Sequence, residues 1–292
     1  MPPRPPTPSG EPPRLALASR HDPDCLAACA VDVLTTADAL EKAARSRAHA
    51  RAWFEGRAAG RPMPVGVAVP PAHPARPLKP DLLAPREVAR RRPGSAQGRT
   101  ALLHAVAHIE LNAIDLHWDI IARFTATPLP LAFYDDWVRT ADEEAKHFGL
   151  LNDCLLARGS FYGALPAHAQ MWCAAQDTAG DLMARLAVVP IILEARGLDV
   201  TPPMIEMFRK AGQPDAVAAL ETIYAEEVGH VAHGARWFRF LCEGAGLPAR
   251  ETFHALARRH FHGALKPPFN EPKRAQAGVP PDFYWPLVAE TA

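Results

Sequence analysis

EAKH at residues 144–147 and EVGH at residues 227–230 decide how this chain is read. Each is Glu-x-x-His within a segment whose apolar residues recur at helical spacing. On a helix, positions i and i+3 are neighbours on one face. Glu144 and His147, and likewise Glu227 and His230, therefore present a carboxylate and an imidazole side by side. Asp142 and Glu143 fall beside that face and read as solvent-facing.

Each phrase follows a helix with one acidic residue in its apolar seam. Leu103, Val106, Glu110, Ala113, His117, Ile120 and Phe124 recur at spacings of three and four, the core stripe of a bundle helix. Tyr134, Trp137, Ala141, Glu144, Phe148, Leu151 and Leu155 repeat the pattern up to Gly159. A third helix is predicted over roughly 167–197, with Glu194 in its seam, a kink at Pro190 and an end at Gly197. Thr201-Pro-Pro then opens a short helix of its own. The fourth follows Pro214, with Leu220, Ile223, Glu227, His230, Gly234, Trp237 and Leu241 inward. Residues 159–166 are non-helical and, with their flanks, long enough to cross the length of a bundle. Glu110 and Glu144 are 34 apart, and Glu194 and Glu227 are 33 apart. The chain thus repeats a helix–loop–helix half, each carrying Glu and then Glu-x-x-His.

Carboxylates in a core seam cost several kcal/mol per unpaired ion. Four of them, Glu110, Glu144, Glu194 and Glu227, require something that cancels their charge. Two divalent ions do so, with His147 and His230 as neutral ligands. A mixed oxygen–nitrogen set suits iron, with manganese as the alternative, and the absence of thiolates argues against structural zinc. His117 lies two turns from Glu110 and reads as a cavity residue. His104, His108 and His233 read as surface or supporting groups. Asp177 and Asp181, near Arg185, are candidates for orienting a ligand histidine through its free nitrogen.

The flanks read differently. Residues 1–21 form a disordered Pro-rich tail with no apolar core of a signal peptide. Over 22–98 the pattern gives an N-terminal helix, residues 22–56, and then a Pro/Gly/Arg strap. The bundle occupies 99–245. Residues 246–292 supply one more helix, near 249–262, and a tail whose Phe283-Tyr284-Trp285 cluster reads as an anchor or, second, a substrate gate. Lys plus Arg equals Asp plus Glu, 32 each, so no global field favours nucleic acid or anionic membrane. Arg90–Arg92 reads as a solvated loop, with phosphate contact as the lesser reading. Five cysteines without a CxxC pair are expected to be reduced and buried in a cytoplasmic protein; Cys25 and Cys29, one turn apart, could share a metal.

The segments HIELNAIDLHWD, FYDDWVRTADEEAKHF, RLAVVPIILEARGLDVTP and IYAEEVGHVAHGARWF resemble the ferritin-like di-iron carboxylate superfamily, and within it an uncharacterised bacterial family of unknown function. The resemblance implies an all-α fold, a ferritin-like four-helix bundle with a long crossover. It assigns Glu110, Glu144 and His147 to one metal and Glu194, Glu227 and His230 to the other, with Glu144 and Glu227 as bridges. The expected function is a di-iron oxidoreductase that uses dioxygen or peroxide on an unknown small or macromolecular substrate, in the manner of a hydroxylase. Iron oxidation and storage, or a metal-stabilised binding protein, are the alternatives. A homodimer and RNA binding are lesser expectations. The fold alone names no reaction.

Overall fold

The computed structural model describes residues 24–84, 87, 94–168 and 170–288. The regular elements among these residues are all helices, apart from an isolated parallel bridge between Leu82 and Ala167. The helices are α1 (Leu26–Thr35), α2 (Ala39–Ala58), α3 (Ala96–Arg123), α4 (Leu131–Leu156), α5 (Gln170–Asp177), α6 (Leu182–Val188), α7 (Ala195–Lys210), α8 (Pro214–Gly244), α9 (Ala249–His260), α10 (Glu271–Gln276) and α11 (Pro281–Val288). A π-helical segment, Val189–Glu194, joins α6 to α7 without a break. Residues 1–23 and Arg90–Arg92, to which the tail and phosphate readings belong, lie outside the described residues.

The stretch read as a single helix over 22–56 is two. Thr36 leaves the helix, and Asp38 caps α2 by accepting from the Glu41 amide at 2.9 Å. The N-cap aspartate followed three residues later by glutamate resembles a capping box. α2 then lies across α3 and α4. Trp118 Nε1 donates to Ser46 Oγ at 2.8 Å, and Ser46 Oγ donates to the Ala141 carbonyl at 2.9 Å. Lys42 reaches the buried Asp115 of α3 and the Ala75 carbonyl of the strap. The strap in turn pairs with the connection between α4 and α5, Leu83 N–H to Ala167 O at 2.8 Å and Ala167 N–H to Asp81 O at 3.0 Å.

The third long segment departs furthest from expectation. It starts as the short α5, turns at Thr178–Asp181 and restarts at α6, whose N-cap Asp181 accepts from the Ala184 amide at 3.1 Å. Pro190 produces the π-helical segment where a kink was expected. A proline leaves the carbonyl four residues back without its donor. The π register, in which each carbonyl is served five residues on, works around that gap. Gly197 does not end the helix either: α7 runs through Pro202 and Pro203 to Lys210. The Leu198 carbonyl, four residues before Pro202, accepts from Asn270 Nδ2 at 3.1 Å. Leu198, Ile205 and Phe208 are buried, and Arg274 grips Asp199 at 2.6 Å. Tertiary contacts thus hold a helix that its local sequence would break.

The C-terminal aromatic cluster is an anchor. Phe283 and Tyr284 are buried, with Arg239 over the Phe283 ring and Arg274 over the Tyr284 ring, while Trp285 is half exposed. No helix among the described residues is long and apolar enough to cross a membrane.

Candidate metal centre

Glu110 and His117 come from α3, Glu144 and His147 from α4, Glu194 from the end of the π-helical segment, and Glu227 and His230 from α8. The side chains of all seven are buried, none more than 9 % exposed. One ligand atom each from Glu110, Glu144, His147 and Glu227 lies within 4.8 Å of the others, as a bound cation requires. Glu144 is central. Its Oε2 lies 3.5 Å from His147 Nδ1, and its Oε1 lies 2.9 Å from His230 Nδ1. One oxygen therefore faces each imidazole. Glu194 sits farther round, 3.0 Å from His117 Nε2, which is 3.7 Å from Glu144 Oε1. His117 belongs to the cluster itself and is more than a cavity residue nearby.

These contacts are close but poorly aligned. Both Glu144 oxygens, both Glu194 oxygens, Glu227 Oε2, both His117 nitrogens and the Nδ1 atoms of His147 and His230 have no hydrogen-bond partner. Buried polar atoms are otherwise paired as a rule. Nine orphan atoms, all of metal-ligand types, belong to the residues of this one cluster, and four of the cluster's residues, Glu110, Glu144, His147 and Glu227, can reach a single cation together.

The other ring nitrogens are satisfied. His147 Nε2 donates to Glu226 at 2.8 Å, and His230 Nε2 donates to Glu143 at 2.9 Å. Each of those carboxylates is on the opposite helix of the α4–α8 pair and immediately precedes its helix's inward glutamate. Lys146 holds Glu226 at 2.5 Å. An outer carboxylate that fixes Nε2–H leaves Nδ1 free to coordinate. Glu143, read from the sequence as solvent-facing, is in fact part-buried and orients His230, as Glu226, which the sequence reading passed over, orients His147. The signal was present as the doubled glutamate, Glu143-Glu144 and Glu226-Glu227. Its cross-helix partners were not visible. Asp177 and Asp181 do not take this role: Asp181 is a cap, and Arg185 pairs with buried Asp119 at 2.6 Å.

Charge accounts for the protonation pattern. Burial pushes Glu110 well above the usual carboxylate range, and the Glu144 charge adds to it. Burial and Glu144 raise Glu227 likewise. Burial opposes charge on Glu144, yet His230, His117 and His147 hold it well below the ordinary value. Burial would depress His147 and His230, but the surrounding carboxylates raise both well above it. Without a cation, the cluster balances its charge with protons.

His104 and His108 are buried, not surface groups. They stack on Tyr162 of the α4–α5 connection, where His104 Nε2 accepts from the Gly163 amide at 2.9 Å. His233 is part-buried between Thr140 and Asp136. Cys25 and Cys29 are buried free thiols, with Cys29 Sγ 3.8 Å from Met63 Sδ; burial, with Cys25 and Asp32 adding, pushes Cys29 up to about 11.

A Haemophilus influenzae protein, itself described as uncharacterized, is 42 % identical over 209 residues, covering 70 % of this chain and 73 % of the relative. No solved structure matches the chain. Residues 35–285 match the model of a protein family of unknown function, DUF455, and the chain belongs to that family.

Proposed function

We propose that this protein is a dinuclear-metal oxidoreductase, di-iron in the first instance, built on a ferritin-like bundle formed by α3, α4, the α6–α7 segment and α8. The observation that carries the reading is the set of nine unpartnered carboxylate and imidazole atoms on six buried residues of one cluster. Glu110, Glu144 and His147 would hold one ion and Glu194, Glu227 and His230 the other, with Glu144 between them. A pair of such ions, when bound, would supply binding and reduction of dioxygen or peroxide.

The protein's own residues set the conditions for that chemistry. Glu226 and Glu143 keep each imidazole in the tautomer that presents Nδ1 inward. His117 is placed beside Glu194 and Glu144 to hold a proton or complete a coordination sphere, because both its nitrogens are otherwise unused. Trp137, stacked on His117 at 5.4 Å, closes that side against water. An organic compound is proposed as the substrate, and the cytoplasm as the compartment.

Anaerobic protein loaded with iron(II) should consume dioxygen in one turnover and develop an oxidised-iron absorption. Protein that binds iron but leaves oxygen untouched would sink the oxidoreductase reading. Iron storage is the second reading; light scattering that shows a large hollow shell would favour it.

A further inference from the structure

The cluster's side chains are buried, none more than 9 % exposed, so an electron donor larger than dioxygen docks at the surface and its electrons cross protein to reach the site. We propose that Trp137 and Trp237 form an electron relay between the metal centre and the surface at Phe240. The proposal rests on the metal reading above. His117, within 4 Å of Glu194 and Glu144, stacks on Trp137 with ring planes 16° apart. Trp137 touches Phe133 at 6.1 Å between centroids, Phe133 touches Trp237 at 5.4 Å, and Trp237 touches Phe240 at 5.3 Å. Phe240 is 45 % exposed, whereas the two tryptophans and Phe133 are buried. The rings thus make an unbroken line of contact from the cluster to solvent.

Packing alone does not account for Trp137. Its indole Nε1–H is buried with no acceptor, which costs about 1–3 kcal/mol. A phenylalanine would fill the core without that cost. Indole is among the side chains most readily oxidised by one electron, and phenyl is not, so Phe133 serves as a bridge between two stations. The stations differ. Trp137 has no base to take its proton, so an oxidised Trp137 stays strongly oxidising and passes the vacancy on. Trp237 Nε1 donates to Asp136 Oδ2 at 2.8 Å, an oxygen that Arg236 also binds, so the outer station has the acceptor for its indole proton that Trp137 lacks. The Arg236 guanidinium over the Trp237 ring disfavours a cation there and so favours the deprotonated radical.

The steps balance. With a metal held by the cluster and oxidised by dioxygen or peroxide, Trp137 would supply it with one electron. Trp237 refills Trp137 through Phe133, its proton moving to Asp136. An external one-electron donor at the Phe240 edge refills Trp237, and the proton returns. One electron passes from the donor to the centre, and no proton is lost.

The test attaches a ruthenium photosensitiser at position 240, in a Phe240→Cys, Cys173→Ser protein, and follows the tryptophan radical by transient absorption after a flash-quench. In metal-free protein the radical should form and persist. Loading with iron(II) should speed its decay at least tenfold, and adding Trp137→Phe should abolish that acceleration while circular dichroism and iron content stay unchanged. Should Trp137→Phe fail to fold, Trp237→Phe, at the outer end of the line, should remove the radical altogether. Equal acceleration with and without Trp137, or a radical that forms without Trp237, overturns the relay alone. Protein that binds no iron by elemental analysis overturns the metal reading and the relay with it.

Discussion

Glu226 and Glu143 accept hydrogen bonds from the two imidazoles that face the cluster, and their effect is expected to be felt by the metal and not by the fold. Both are part-exposed, so truncation leaves little buried cavity. Removal of such an outer carboxylate usually lowers metal affinity ~10–100-fold. Glu226→Ala and Glu143→Ala should each do so in a competitive chelator titration, whereas the exposed Glu206→Ala should not. Unchanged affinity in both variants would remove them from the site. His108 yields a second residue-scale expectation. Burial lowers it to about 4 from an ordinary 6.5, with its contact to the His168 carbonyl opposing. Between those values the unfolded chain binds the proton and the folded one does not. Stability is therefore intact above pH 6.5 and falls by about 3 kcal/mol as pH drops to 4. Urea titrations over this range should show a shallower fall in His108→Gln, and parallel curves would contradict the assignment. The inward ligands could be read from the sequence because seam register separates Glu144 from Glu143. The outer pair could not, because the partner of each lies on another helix about 80 residues away in the chain.

At the scale of elements, the π-helical segment depends on a missing side chain. A Cβ on Gly234 of α8 would stand 2.5 Å from Pro190 Cβ and Cγ. Gly234→Ala should therefore destabilise the protein by about 1–3 kcal/mol, the usual cost of overpacking. It should also disturb Glu194, which ends that segment. Denaturant titration measures the first effect and metal content the second. An alanine variant as stable as the parent would mean that α8 does not rest on Pro190. The long helices were legible because their apolar periodicity is sustained over many turns. Their interruptions were misread where help arrives from afar. Gly197 and Pro202 are local breakers, yet Asn270 serves the orphaned Leu198 carbonyl from the C-terminal tail. The break at Thr36 was legible in Asp38 and Glu41 and was hidden only by the alanine-rich run around it.

For the whole molecule, the α1–α2 pair, the strap and the C-terminal tail act as a jacket on the segments that carry the cluster. Lys42 ties α2, the strap and α3 at one point, and Arg274 ties the tail to α7. The result is a buried core in which nine carboxylate and imidazole atoms have no protein hydrogen-bond partner. The central claim is that metal replaces the protons that otherwise balance this cluster. The direct test is elemental analysis of the protein purified from its native host, set beside a Glu144→Ala variant of the same chain. Two transition-metal ions per chain in the parent, and far fewer in a folded variant, is the predicted result. A folded parent with no bound transition metal, or equal metal in both proteins, would contradict it.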